Sequence, residues 1–248
     1  IEEVIETMRS GWLTTGPRTE KFEAALSEQM QGAHVVAVNS GTAALHLAVL
    51  AAGIGPGDEV ITTPLTWPAT ANVILMAGAT PVFVDIDRHT LNLDPEQVEA
   101  AVTQRTRALL PVHFAGLCCD MARLGAVAAR HGLWVIEDAA HALGAVCPEG
   151  PAGLLGLVGC FSFHPTKPIT TGEGGALVTR DQDLAEKARL LSFHGVTRGS
   201  QARMSGTAEY QVLEVGFKYN MLDMQAAIGL HQLAVAEELR RRREELAR

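Results

Sequence analysis

With 248 residues, 47% of them hydrophobic, the chain can bury a substantial core, and its length suits one large α/β domain. A formal charge of -8 argues against nucleic acid or an anionic membrane as partner, and the basic run at 240–243 lies among Glu237, Glu238, Glu244 and Glu245, as a solvated helix face would. The longest apolar stretch, 43–54, is too short to cross a bilayer and contains His46, and no signal peptide is expected ahead of it. The nine histidines show no paired metal-ligand spacing, so no metal is expected. Cys118, Cys119, Cys147 and Cys160 show neither CxxC spacing nor a disulfide framework, which points to a reducing, cytoplasmic compartment.

In chain order, an opening amphipathic helix carries Ile1, Val4, Ile5 and Met8, and the turn-rich GWLTTGP follows, with Trp12 in the core or at the mouth of a site. Thr19 is expected to cap a helix whose Phe22, Leu26 and Met30 share one face. Residues 34–38 read as a buried strand, after which Asn39-Ser40-Gly41-Thr42 turns at once into an alanine- and leucine-rich helix over 43–52. So abrupt a start points unpaired N–H groups above the strand, and Gly41 and Thr42 let an anion approach closely. Ordinary capping by Ser40 or Thr42 is the alternative. After a loop at 53–58 come a strand over 59–62, a loop holding Trp67, a helix over 69–77 and a strand over 80–84. Asp85 and Asp87 read as turn residues. Asp94, Pro95 and Gln97 form a helix start with cap, first-turn proline and capping-box glutamine. A strand over 108–112, a helix over 121–131 and a strand over 133–136 follow; His113, just past the first of these, is either a site residue or a hydrogen-bonded structural histidine.

The chemistry concentrates in two stretches about thirty residues apart, a separation typical of a βαβ unit. The first, WVIEDAAHALG, ends an apolar strand with Asp138; the second, FSFHPTKPITTGEGG, follows a short strand over 160–164 with Lys167 in a loop of prolines, threonines and glycines. A desolvated lysine has a lowered pKa and can attack a carbonyl to form a Schiff base. An acidic residue at a strand end is the partner for a pyridinium nitrogen, and pyridoxal phosphate (PLP) needs both groups. A strand over 176–179 and a helix capped by Asp181, carrying Leu184, Ala188 and Leu191, come next. Residues 194–215 hold no clear element, as a functional or mobile loop would. The last helix, from 222 onward, is apolar early and charged late. Strands that are continuously apolar and alternate with helices predict a mainly parallel sheet covered by helices on both faces. Ligands bind such sheets beyond the carboxyl ends of strands, where Gly41, Thr42, Trp67, Asp138 and Lys167 all fall.

SFHPTKPITTGEGG and VIEDAAHALGA, with NSGTAALHLA near the start and KYNMLDMQAAIG near the end, resemble the DegT/DnrJ/StrS family of sugar aminotransferases, PLP enzymes of fold type I. The resemblance implies that Lys167 holds the cofactor and moves protons, that Asp138 keeps the pyridine nitrogen protonated, that Trp67 stacks on the ring, and that Ser162 binds the phosphate; His141, one helical turn after Asp138, either packs beside the ring, touches its 3-hydroxyl region or lies on a helix surface. It further implies a homodimer with shared sites, in which Lys218 and Asn220 reach the neighbouring subunit's cofactor; many members read N-Y-R where this chain reads K-Y-N. The implied acceptor is a keto sugar on a nucleotide and the donor glutamate. PLP sugar dehydratases of the same family carry histidine in place of Lys167, and a non-catalytic relative is the other alternative. On this reading, residues 1–248 are the PLP-binding large domain of a longer enzyme, cut at both ends and lacking the smaller C-terminal domain.

Overall fold

The computed structural model describes residues 1–197 and 210–247. Its centre is a seven-stranded sheet, β1 (His34–Val38), β2 (Glu59–Thr62), β3 (Thr80–Phe83), β4 (Thr106–Leu110), β5 (Trp134–Asp138), β8 (Val158–Ser162) and β9 (Gly175–Thr179), in the order β1-β9-β8-β5-β4-β2-β3. Only β9 runs against its neighbours. Between β5 and β8 lies a two-stranded hairpin, β6 (Val146–Cys147) with β7 (Gly150–Pro151).

The central strands are mostly apolar because both of their faces are buried, whereas the edge strand β3 is partly exposed. Val36, Val38, Val60, Ala108, Leu110, Ile136 and Leu177 face a core built with α3 (Gly41–Ala51), α4 (Ala69–Met76) and α7 (Gln182–Ser192). The intervening residues face the other side. There Val35, Ala37, Phe161, Ala176 and Val178 pack with α2 (Pro17–Gln29) and α8 (Asp223–Ala234), while Ile61, Leu109 and Val135 pack with α5 (Pro95–Ala101) and α6 (Met121–His131). Two further helices, α1 (Glu2–Ser10) and α9 (Ala236–Ala247), lie at the ends of the chain. The expected fold class is the one observed.

Several local expectations are corrected. The second helix begins at Pro17 rather than Thr19, because its first turn is capped from afar: the fully buried Asp223 carboxylate accepts the N–H groups of Gly16 (2.8 Å), Arg18 (3.1 Å) and Thr19 (2.9 Å) and the Thr19 hydroxyl (2.7 Å). Gln97 reaches the Asp94 side chain rather than its backbone. The last helix is broken at Val235 into α8 and α9, and on α9 Arg240 pairs with Glu237 and Glu244, and Arg241 with Glu245. Of the loop expected at 194–215, residues 198–209 lie outside the described residues.

The cysteines depart most from expectation. Cys118 and Cys147 form a disulfide with Cα atoms 5.6 Å apart, whereas Cys119 and Cys160 are free and buried. Sequence spacing is blind to this pair, which meets only because residues 114–119 fold back against the turn that follows β5. Among the described residues, no helix is long and apolar enough to cross a membrane.

Candidate active site

β5 ends on Asp138, and parallel pairing holds that end rigidly: the Asp138 N–H donates to Pro111 (2.9 Å), its carbonyl accepts from His113 (3.1 Å), and the Ala139 N–H donates to Cys160 (2.9 Å). The carboxylate is buried, which raises its pKa, while hydrogen bonds from the Thr70 hydroxyl (2.8 Å) and the Ala140 N–H (3.2 Å) and the nearby His141 and His113 pull it back. Such a group is costly to keep charged unless a cation meets it.

Lys167 lies in the loop between β8 and the antiparallel β9, in a turn closed by its N–H on the His164 carbonyl (2.9 Å). Burial lowers the pKa of its amine and the charge of Asp138 opposes that shift, so the free base forms at lower pH than in an ordinary lysine. His141 accepts the Ala115 N–H at Nδ1 (3.3 Å), leaving the ring proton on Nε2, and burial followed by the Lys167 charge holds it below the usual histidine range. Ala115 takes φ 52° to make that contact, a left-handed conformation costing a non-glycine residue about 1 kcal/mol.

The third component is the start of α3. Ser40 caps it by accepting the Ala43 N–H (3.1 Å), as the ordinary reading of this turn expects, and this leaves the N–H groups of Gly41 and Thr42 without a partner among the described residues. They sit at the positive end of the helix, where an anion is favoured. The approach needs glycine: a Cβ on Gly41 would lie 2.8 Å from Ser162 Cβ.

Gly41, Thr42, Trp67, Asp138, His141, Ser162 and Lys167 line one cavity of about 570 Å³. Trp67 is 77% exposed at its edge, so its ring face is available to a bound group. Thr66, His164, Thr166 and Glu173 share the lining and were missed from sequence, although Thr66 adjoins Trp67 and Thr166 adjoins Lys167. His113 is absent from it. That ring is fully buried, accepts the Cys119 N–H at Nδ1 (3.1 Å) and meets Glu137 through Nε2 (2.9 Å), and Glu137 also takes the N–H groups of Gly153, Leu155 and Gly156 (2.7 Å each). His113 is therefore the structural histidine of the two alternatives. Lys218 and Asn220 are not brought to this cavity within one chain. Lys218 lies over the Phe193 ring (4.2 Å) against the Asn220 amide oxygen, and Asn220 binds Thr15 Oγ1 (2.6 Å) and borders a separate cavity of about 820 Å³.

A half-buried lysine, a buried carboxylate and a helix start open to an anion, at the carboxyl ends of a mainly parallel sheet, define a protein of the PLP-dependent aminotransferase fold. The chain belongs to the DegT/DnrJ/EryC1/StrS aminotransferase family, whose sequence profile matches residues 1–248. It is 53% identical to SpsC, the spore coat polysaccharide biosynthesis protein of Bacillus subtilis, over all of this chain and 64% of SpsC. Among solved structures it resembles Spr1654 of Streptococcus pneumoniae in its PLP form, at 36% identity and a TM-score of 0.92, over 99% of this chain and 66% of that one. It also resembles Helicobacter pylori PseC, an aminotransferase involved in pseudoaminic acid biosynthesis, at 36% identity and a TM-score of 0.91, over 98% of this chain and 64% of PseC. The chain spans a little under two thirds of the length of the curated relatives it matches.

Proposed function

We propose that residues 1–248 are the cofactor-binding large domain of a PLP-dependent aminotransferase that moves an amino group from an amino acid, glutamate, to a keto sugar carried on a nucleotide. The observation that carries this reading is the meeting of Lys167, Asp138 and the Gly41-Thr42 helix start around one cavity.

The residues fit the cofactor. The N–H groups of Gly41 and Thr42, with the Ser162 hydroxyl, suit a phosphate dianion. The buried Asp138 carboxylate suits a protonated pyridine nitrogen, whose charge would offset the cost of keeping it ionised. Trp67 and His141 present flat surfaces to a ring. Bound PLP supplies an electron sink for negative charge at the donor carbon. Lys167, whose amine has a lowered pKa, would hold the cofactor through Nζ and could move a proton at the donor carbon.

The sugar acceptor is supported by the family and by the polysaccharide and pseudoaminic acid roles named for SpsC and PseC. The nucleotide and the glutamate donor follow from the family resemblance. A homodimer in which Lys218 and Asn220 complete the neighbour's phosphate site would account for their distance from their own cavity. We place the enzyme in the cytoplasm, with neither nucleic acid nor membrane as partner; the Cys118–Cys147 bridge would there meet thiol reductants. The test is the full-length enzyme assayed with glutamate against a panel of nucleotide-linked keto sugars. Failure to convert PLP to its amine form with any donor would refute the reading. Mixing Lys167→Ala subunits with subunits altered at both Lys218 and Asn220 tests the shared site: exchanged dimers regain activity, and silence after demonstrated exchange rules sharing out.

A further inference from the structure

Behind Asp138 lies a hydrogen-bond chain. Thr70, fully buried in the first turn of α4, places Oγ1 2.8 Å from Asp138 Oδ2 and 2.7 Å from Thr66 Oγ1, and Thr66 borders the cavity. An ionised carboxylate only accepts, and a hydroxyl has one proton to give. Thr70 must therefore donate to Asp138, and its own oxygen must accept from Thr66. Both hydroxyl protons then point inward, and Thr66 offers the cavity only lone pairs. Protonation of Asp138 at Oδ2 would free the chain to reverse.

The titratable and charged groups facing Asp138 are Lys167 and His141 at the cavity, His113 beside the strand end, Glu137 before it, and the thiols of Cys119 and Cys160. None of them hydrogen-bonds Oδ2, and among the described residues Thr70 alone does. Glu137 is turned to the opposite side of its strand, where His113 and three backbone N–H groups satisfy it.

We infer that Thr70 is a positioning residue of the transaminase: it fixes the orientation of the Asp138 carboxylate and favours its ionised form, and Thr66 carries that state to the cavity wall as an obligate acceptor. The inference rests on the PLP reading of this site. A hydrogen bond to a charged group changes an equilibrium about tenfold or more. Valine matches threonine in shape and β-branching, so Thr70→Val removes little besides the two hydrogen bonds of the hydroxyl, to Asp138 and to Thr66.

The experiment measures noncovalent PLP affinity against pH in the full-length enzyme, with Lys167→Ala as background so that no covalent link contributes. In the parent, PLP should bind until acid protonates Asp138. In Thr70→Val the affinity should fall roughly tenfold at neutral pH, and the pH below which binding is lost should move upward, while Thr70→Ser restores both. Thr66→Val should shift them in the same direction by less. Thr70→Ala is read in the same way if the valine variant does not fold. Unchanged affinity and acid limit in Thr70→Val overturn the inference, and so does a serine variant as impaired as the valine one, which would mark a packing role. If the parent binds no PLP, the cofactor reading itself fails and the inference falls with it. Binding by the parent with no effect at Thr70 refutes the inference alone.

Discussion

Replacing Gly175 by alanine should damage the anion site by displacing the backbone that forms it, although Gly175 itself offers the anion nothing. Gly175 opens β9 opposite Val38 of β1 and Ser162 of β8, directly against the Ser40–Gly41 peptide. A Cβ there would lie 2.4 Å from the Ser40 carbonyl oxygen, 2.5 Å from its carbon and 2.6 Å from the Gly41 nitrogen. Ordinary contact begins at 3.4 Å, so the peptide must retreat by about 1 Å, the difference of 3.4 and 2.4. All three atoms are backbone, and no side-chain rotation relieves the clash. Overpacking of this kind costs about 1–3 kcal/mol, or a fall in Tm of roughly 2–12 °C for a chain of this size. The same shift moves the Ser40 cap and turns the Gly41 and Thr42 N–H groups away from an anion. Loss of one or two charge-assisted hydrogen bonds should weaken PLP binding about 100-fold. Gly172→Ala is the control: its Cβ meets nothing within 4 Å, and only its φ of 84° penalises alanine, by about 1 kcal/mol, with no expected loss of affinity. Thermal melts and PLP titration, with inorganic phosphate as competitor, read both effects. A Gly175→Ala protein that melts and binds like the parent would refute the close-approach argument.

The remaining predictions concern the lysine, the carboxylate and the disulfide. Lys167→Ala should fold normally but lose the cofactor link that borohydride traps; peptide mapping that finds the trapped cofactor on Lys187 or Lys218 would move the assignment. Asp138 has its pKa raised in the folded protein, so its contribution to stability is full below the ordinary aspartate value and is lost as pH rises through the folded value. Asp138→Asn should therefore raise the Tm of the PLP-free protein at neutral pH, with the gain vanishing in acid, and should slow transamination severely; an unchanged Tm profile would show that the buried charge costs nothing. Cutting the Cys118–Cys147 link, by reduction or by Cys147→Ser, reopens a loop of 29 residues. Chain entropy sets the loss at about 3–4 kcal/mol, visible as a lower denaturant midpoint; four free thiols in the native, unreduced protein would disprove the bridge.

Features decided within a few residues were legible in the sequence. Continuous apolar runs marked strands buried on both faces, and Asp94 and Asp181 cap the helices that follow them as short-range hydrogen bonding requires. The strand ends that carry Gly41, Thr42, Trp67, Asp138 and Lys167 could be placed on one edge of the sheet, because a parallel arrangement puts all such ends together. Contacts between segments far apart in the chain were not legible. Asp223 caps a helix about two hundred positions earlier, Thr70 meets Asp138 across 68 positions, and Cys118 finds Cys147 across 29. His113 looked equally like a site residue or a structural one until Glu137 met it on the buried side of the neighbouring strand. Periodicity and capping report the local backbone, whereas these pairings depend on which strands are neighbours. Strand order is settled by the packing of the whole core, and only the folded chain holds that information.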